Sequence, residues 1–162
     1  AGREFEMIAA GNGAFDSLRL EKGYRGWGTD VHTEHNPYEA GLGWTVKLDK
    51  PGAFVGKAAC AALKSQPLAR KLCCMTLADP KAVLFGYEPI FAANGRGGEH
   101  AAGYVTSANY GYSVGAFIAY GYLPAEQSEP GTPVEIEYFG ERVKAVVAEE
   151  PLFDAKMAKL KQ

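Results

Sequence analysis

From residue 70 onward the chain breaks into six short β-type runs, at 70–76, 88–91, 103–107, 116–123, 133–138 and 142–148, each closed by turn residues. Six such runs with no convincing helix among them predict a small closed, or nearly closed, antiparallel barrel, because closure removes the exposed edges of a sheet. Asn94-Gly95 and Phe139-Gly140 are the best tight turns, since glycine supplies a positive φ at little steric cost. The segment 106–113, TSANYGYS, reads as a polar, tyrosine-bearing loop between two of these strands.

The first 66 residues read differently. GREFEMIAA at 2–10 has apolar residues at Phe5, Ile8 and Ala9, the spacing of one helical face, and stops at Gly-Asn-Gly. Its first turn lacks a Ser, Thr, Asp or Asn cap, which suggests a segment cut from a longer chain. A second short helix is expected over 14–23, then loop composition from Tyr24 to Ala40, a strand at 42–48 with Trp44 in the core, and a helix at 57–64. Ser65-Gln66-Pro67 marks the boundary between subdomains. The whole is α+β and mainly β, divided into 1–66 and 67–162.

Composition narrows the function classes. The 162 residues are 47% hydrophobic and 22% charged, suited to a globular domain with a real core. A formal net charge of −2 gives no general attraction to phosphate backbones or anionic lipid, so neither nucleic acid nor a membrane is an expected partner. An oligonucleotide-binding barrel is further disfavoured because its strands carry no interleaved basic and aromatic positions. No apolar run approaches the ~18 residues that span a bilayer, and the N-terminus has no basic segment followed by an apolar block. Cys60, Cys73 and Cys74 cannot all pair and form no C-x-x-C site, so they read as reduced thiols in a cytoplasmic or mitochondrial-matrix compartment. Cys73 and Cys74, in a buried strand, are expected to be unreactive.

Glycine-rich GTD at 28–30 and GRGG at 95–98 match neither the dinucleotide nor the P-loop pattern, and no serine sits in G-x-S-x-G. His32 and His35 lack a convincing third ligand, so they are expected to be structural or solvent-facing, with no metal site. His100 is expected at an exposed hairpin tip.

The words RLEKGYR at 19–25, PYEAGLGW at 37–44 and KLDK at 47–50 resemble the glycine cleavage T-protein (aminomethyltransferase) family. They are most similar to the tetrahydrofolate-binding part of dimethylglycine and sarcosine dehydrogenases. GYVTSANYGYSVG at 103–115, IAYGYLP at 118–124, PGT at 130–132 and PLFD at 151–154 resemble the six-stranded Greek-key barrel of the same family. The resemblance implies a C-terminal part, or a truncated member, of a protein that moves a one-carbon unit to tetrahydrofolate from an aminomethyl-lipoyl or iminium donor. Its words lie past the middle of the family domain, yet here they begin near residue 17.

By that resemblance Arg19 matches the family arginine that contacts folate. The alternative is an internal ion pair with Glu21 or Asp16. Tyr24 and Trp27, flanked by glycines in a loop, are candidates to line a cleft, with Tyr38 and Trp44 completing an aromatic group. Tyr110 and Tyr112 are expected to face the folate-bearing cleft, or else to lie in a solvent-exposed hairpin connection.

The family's N-terminal aspartate and its G-E-L-G-type glutamate have no counterpart in this chain. Asp16 and Asp30 belong to other words, and no residue is assigned as catalytic. The expected chemistry is therefore one wall of a folate site, inactive alone. FAD would sit only in an upstream domain, and the donor would be a small amine or a lipoyl-carried group. A barrel that has lost catalysis and serves docking or assembly is the other reading; the expected association is a homo-oligomer or a complex with the missing N-terminal half, a well-packed homodimer favouring the docking reading.

Overall fold

In the computed structural model, which describes residues 2–93 and 100–161, six strands close into one antiparallel barrel in the order β1-β4-β3-β2-β5-β6. They are β1 (Arg70–Leu77), β2 (Pro89–Ala92), β3 (Gly103–Gly111), β4 (Ala116–Pro124), β5 (Pro133–Tyr138) and β6 (Glu141–Ala148), with β1 pairing β6 to complete the ring. β2, β3 and β4 are neighbours in sequence and space, while β1 returns to lie beside β4, which makes the connection a Greek key. Phe139 and Gly140, at φ of 49° and 80°, form the two-residue turn between β5 and β6, with Tyr138 paired to Glu141. Asn94-Gly95 and the GRGG segment lie outside the described residues.

Side-chain alternation explains why β1 and β4 are buried on both faces. Cys73, Met75 and Leu77 of β1, and Phe117, Ala119 and Leu123 of β4, point into the barrel with Ile90, Val105, Val134, Ile136, Ala145 and Val147. The intervening Leu72, Cys74, Ile118, Tyr120 and Tyr122 form a second core on the outside, closed by Leu20 of the helix α1 (Asn12–Glu21). The barrel is thus the platform, and α1 is clamped to its outer wall.

Clamping is polar as well as apolar. Ser17 Oγ donates to the Tyr110 carbonyl at 2.6 Å, and the buried Glu21 carboxylate accepts the Ser113 N–H at 2.6 Å. The tail after β6 returns to the same helix, where Phe153 N–H donates to the Glu21 carbonyl at 3.0 Å and Lys22 Nζ to the Asp154 carbonyl at 2.6 Å. The helix α2 (Lys57–Lys64) coincides with its expected bounds, and its Cys60 carbonyl accepts the Tyr38 hydroxyl at 2.9 Å.

Three expectations are corrected. Residues 2–10 contain only a single 3-10 turn, Arg3–Phe5, and Phe5, Met7 and Ile8 are exposed. An apolar face that no described residue covers does not sustain so short a helix. The run 42–48 is no strand: Gly43–Thr45 is a 3-10 turn with Gly43 tight against the Tyr38 ring, and Trp44 is 74% exposed rather than in the core. Strand β3 continues through Gly111, so most of 106–113 is paired with β4 instead of looping.

Candidate functional site

Burial of Ser17, Leu20 and Glu21 against the barrel turns the flank of α1 that bears Asp16 and Arg19 toward a cleft of about 470 Å³. The helix side of the cleft is Phe15, Asp16 and Arg19; the loop side is Tyr24, Gly26 and Thr29. The barrel closes it with Phe85, Thr106 and Ser107. A second, mostly apolar hollow of about 360 Å³ adjoins it along Phe15, Arg19 and Tyr24 and extends to Leu18 and Phe153.

Arg19 lines both hollows, with Arg25 in the wall of the first and Lys22 in that of the second. The Arg19 Nε donates to Asp16 Oδ1 at 3.0 Å, and its Nη1 donates to the Tyr24 carbonyl at 3.3 Å and to Asp30 Oδ2. The internal pairing with Asp16 is therefore present, and it coexists with a place in the cleft wall. Nη2 has no hydrogen-bond partner among the described residues. An oriented guanidinium edge of this kind suits a planar ligand rich in acceptors, with Phe15, Tyr24 and Phe85 supplying flat apolar surface.

Asp30 was not among the sequence candidates. It is fully buried, and one oxygen accepts Thr106 Oγ1 and Ser107 Oγ, both at 2.5 Å. The other accepts Arg19 and the Gly26 N–H at 2.8 Å. The hint in the sequence was weak: a lone acid in a glycine and aromatic loop, and two consecutive hydroxyls in a strand whose side chains should alternate. Arg25, also overlooked, lines the same cleft, and its guanidinium donates to the Ala40 carbonyl at 3.1 Å, the Gly23 carbonyl and Glu150.

Of the sequence candidates, the structure brings Arg19 and Tyr24 together in the cleft. Trp27 does not line it and stands 75% exposed on the loop. Tyr110 is half-buried against the barrel core, and Tyr112 is exposed in the β3–β4 turn, the two rings meeting edge-on at 5.1 Å. Neither tyrosine lines the cleft. His35 stacks flat on Tyr122 at 4.2 Å, with His32 against its edge at 4.1 Å. No group of three His, Cys, Asp or Glu side chains suited to a metal occurs among the described residues. Burial pushes both the Cys73 and Cys74 thiols up to about 12. His100 is exposed.

A closed Greek-key barrel holds an arginine-bearing cleft between its wall and a clamped helix, with helix, loop and barrel each contributing a side. The chain belongs to the glycine cleavage T-protein family. Residues 70–154 match the glycine cleavage T-protein C-terminal barrel domain, and residues 1–50 match the GCVT N-terminal domain. The chain is 41% identical over 152 residues to the mitochondrial dimethylglycine dehydrogenase of Homo sapiens, covering 94% of this chain and 17% of that protein. It is 37% identical over 153 residues to an aminomethyltransferase of Symbiobacterium thermophilum, covering 94% of this chain and 39% of that protein. The crystal structure of the glycine cleavage system aminomethyltransferase T from Bartonella henselae superposes with a TM-score of 0.75 at 28% identity, over 88% of this chain and 38% of that one. The chain thus spans well under half the length of these relatives.

Proposed function

We propose that the chain forms one wall of a tetrahydrofolate site in a one-carbon transferase of the aminomethyltransferase or demethylating dehydrogenase type. The observation that carries this reading is Arg19, a guanidinium held by two carboxylates at the edge of a cleft with aromatic sides. A pterin ring needs flat walls and polar partners at its edge, and the glutamate tail needs a cation. Family membership, with its general folate use, supports the same ligand.

Transfer itself asks for more than this wall supplies. A general base or orienting acid must be free to reach the folate nitrogen, whereas Asp16 and Asp30 are both engaged by Arg19. The exposed Phe15 and Leu18 beside the cleft are surface that a further wall would cover, and enclosure is what brings donor and acceptor together. The chain by itself therefore binds reduced folate and does not turn it over.

Titration of the 162-residue chain with 5-formyltetrahydrofolate, read by tryptophan fluorescence and calorimetry, tests the reading. Arg19→Ala is expected to weaken binding by about 1–3 kcal/mol, the usual loss for a charge-assisted contact. An unchanged dissociation constant would remove Arg19 from the site. Robust methylene-tetrahydrofolate formation by the isolated chain would overturn its inactivity.

A further inference from the structure

The geometry points to Asp30 as the positioning residue for Arg19, anchored in turn by a β-bulge in the barrel wall. The local register carries the argument. Along β3 and β4, Val105 pairs with Gly121 but Ser107 pairs with Tyr120, so one extra residue, Thr106, is inserted in β3. A regular strand would send Thr106 and Ser107 to opposite faces. The bulge instead aims both hydroxyls at one carboxylate oxygen, each at 2.5 Å from Asp30 Oδ1. Tyr122 of β4 donates its hydroxyl to the Asp30 carbonyl at 3.0 Å, fixing the backbone of the same residue.

With Oδ1 saturated by the barrel, Oδ2 is left for the loop and the helix: the Gly26 N–H at 2.8 Å and Arg19 Nη1. A fully buried carboxylate with four donors has one orientation, and it passes that orientation to the guanidinium. Asp16, half-exposed and only three residues from Arg19 on the same helix, holds Nε from the outer side. The barrel therefore sets the aim of a side chain carried by another element. This rests on the reading of Arg19 as the folate-contacting cation, but the positioning itself is a property of the folded chain without ligand.

Asp30→Asn keeps the shape of the side chain while removing its charge and one acceptor. Arg19 is followed by NMR through its Nε–Hε signal, assigned by its loss in Arg19→Lys. In the ligand-free chain that signal is expected to be protected from solvent exchange and to exchange about 10-fold faster or more in Asp30→Asn, since the ordered geometry is lost. Binding of 5-formyltetrahydrofolate is expected to weaken about 10-fold, and Asp30→Asn is expected to add nothing to Arg19→Ala, the mark of one residue acting through another. If Asp30→Asn does not fold by circular dichroism, Thr106→Val with Ser107→Ala strips the bulge hydroxyls and takes the same measurements.

Unchanged Arg19 exchange in the folded variant overturns the proposal, and so does a binding loss additive with that of Arg19→Ala. If the unaltered chain binds no folate at all, the folate reading falls, and the Arg19 exchange rates alone still decide whether Asp30 positions it.

Discussion

The Tyr120 hydroxyl on β4 donates to a carboxylate oxygen of Glu150 at 2.7 Å, and the other oxygen of Glu150 receives the Arg25 guanidinium. Three distant parts of the chain meet there: the loop after α1, the barrel wall and the residue two past β6. Arg25 also lies 5.7 Å from the Tyr120 ring centroid. Removing the carboxylate leaves a buried phenol and a nearly buried cation without it. Glu150→Ala is expected to cost about 1–3 kcal/mol in urea unfolding, moderated by the partial exposure of Glu150, and Tyr120→Phe about 1 kcal/mol. A Tyr120→Phe loss larger than that of Glu150→Ala would mean that the carboxylate is not the hub.

The thiols give a prediction with a defined pH window. Cys73 and Cys74 titrate near 9.0 when unperturbed and are pushed up to about 12 in the fold, chiefly by burial. Below 9 both the folded and unfolded chains keep these protons, so the contribution to stability is complete. Between 9 and 12 the unfolded chain loses them while the folded chain does not, and stability falls. Cys73→Ala with Cys74→Ala is expected to flatten the fall of melting temperature above pH 9. At pH 8 a thiol-labelling disulfide reagent is expected to react with Cys60 alone until the chain is unfolded, and rapid native labelling of all three would contradict the burial.

His35 makes the opposite case on the acid side. Burial, then the neighbouring His32 and Arg70, lowers its pKa from 6.5 against the opposing pull of Glu39 and Glu34. Its Nδ1 accepts the His32 backbone N–H at 3.2 Å, so a proton added there would face another donor, and its Nε2 is buried without a partner among the described residues. A lowered histidine pKa leaves stability complete above 6.5 and erodes it as the pH drops toward the folded value. Melting temperature is expected to decline below pH 6.5 and to decline less in His35→Phe, which keeps a ring on Tyr122 without a proton to gain. Equal acid slopes for the two proteins would show that the stack is indifferent to His35 charge.

How far such features can be read from sequence depends on how local their causes are. The strands of the barrel were legible because alternation and turn residues act over a few positions, and β5 (Pro133–Tyr138) and α2 coincide with expectation. Residues 2–10 and 42–48 depart from expectation because each pattern called for a partner surface that the described residues do not supply: Phe5, Ile8 and Trp44 are exposed. The place of Arg19 and Tyr24 in a cleft wall agrees with what the RLEKGYR resemblance and the glycine-flanked loop suggest. Asp30 was not legible, because its donors lie 76 and 77 positions away and face it only through an unpaired residue in β3.

A last prediction concerns how closely the barrel wall is packed. Gly103 opens β3 opposite Ile90, and a Cβ built on it would sit 1.8 Å from the Tyr122 carbonyl oxygen. That oxygen is backbone, in the strand where Tyr104 pairs with Tyr122, so it cannot withdraw without opening the β3–β4 register. Gly103→Ala is expected to cost about 3 kcal/mol or more, the scale of an overpacked core site. Gly13, inside α1 with nothing within 4 Å of its would-be Cβ, is the control. There alanine relieves the backbone entropy of glycine in a helix and is expected to stabilise by up to about 1 kcal/mol. Paired urea unfolding curves check both signs at once. A Gly103→Ala protein as stable as the parent would show that the two strands approach one another less closely than 1.8 Å implies, and with that the close packing that holds Tyr122 over Asp30 would lose its support.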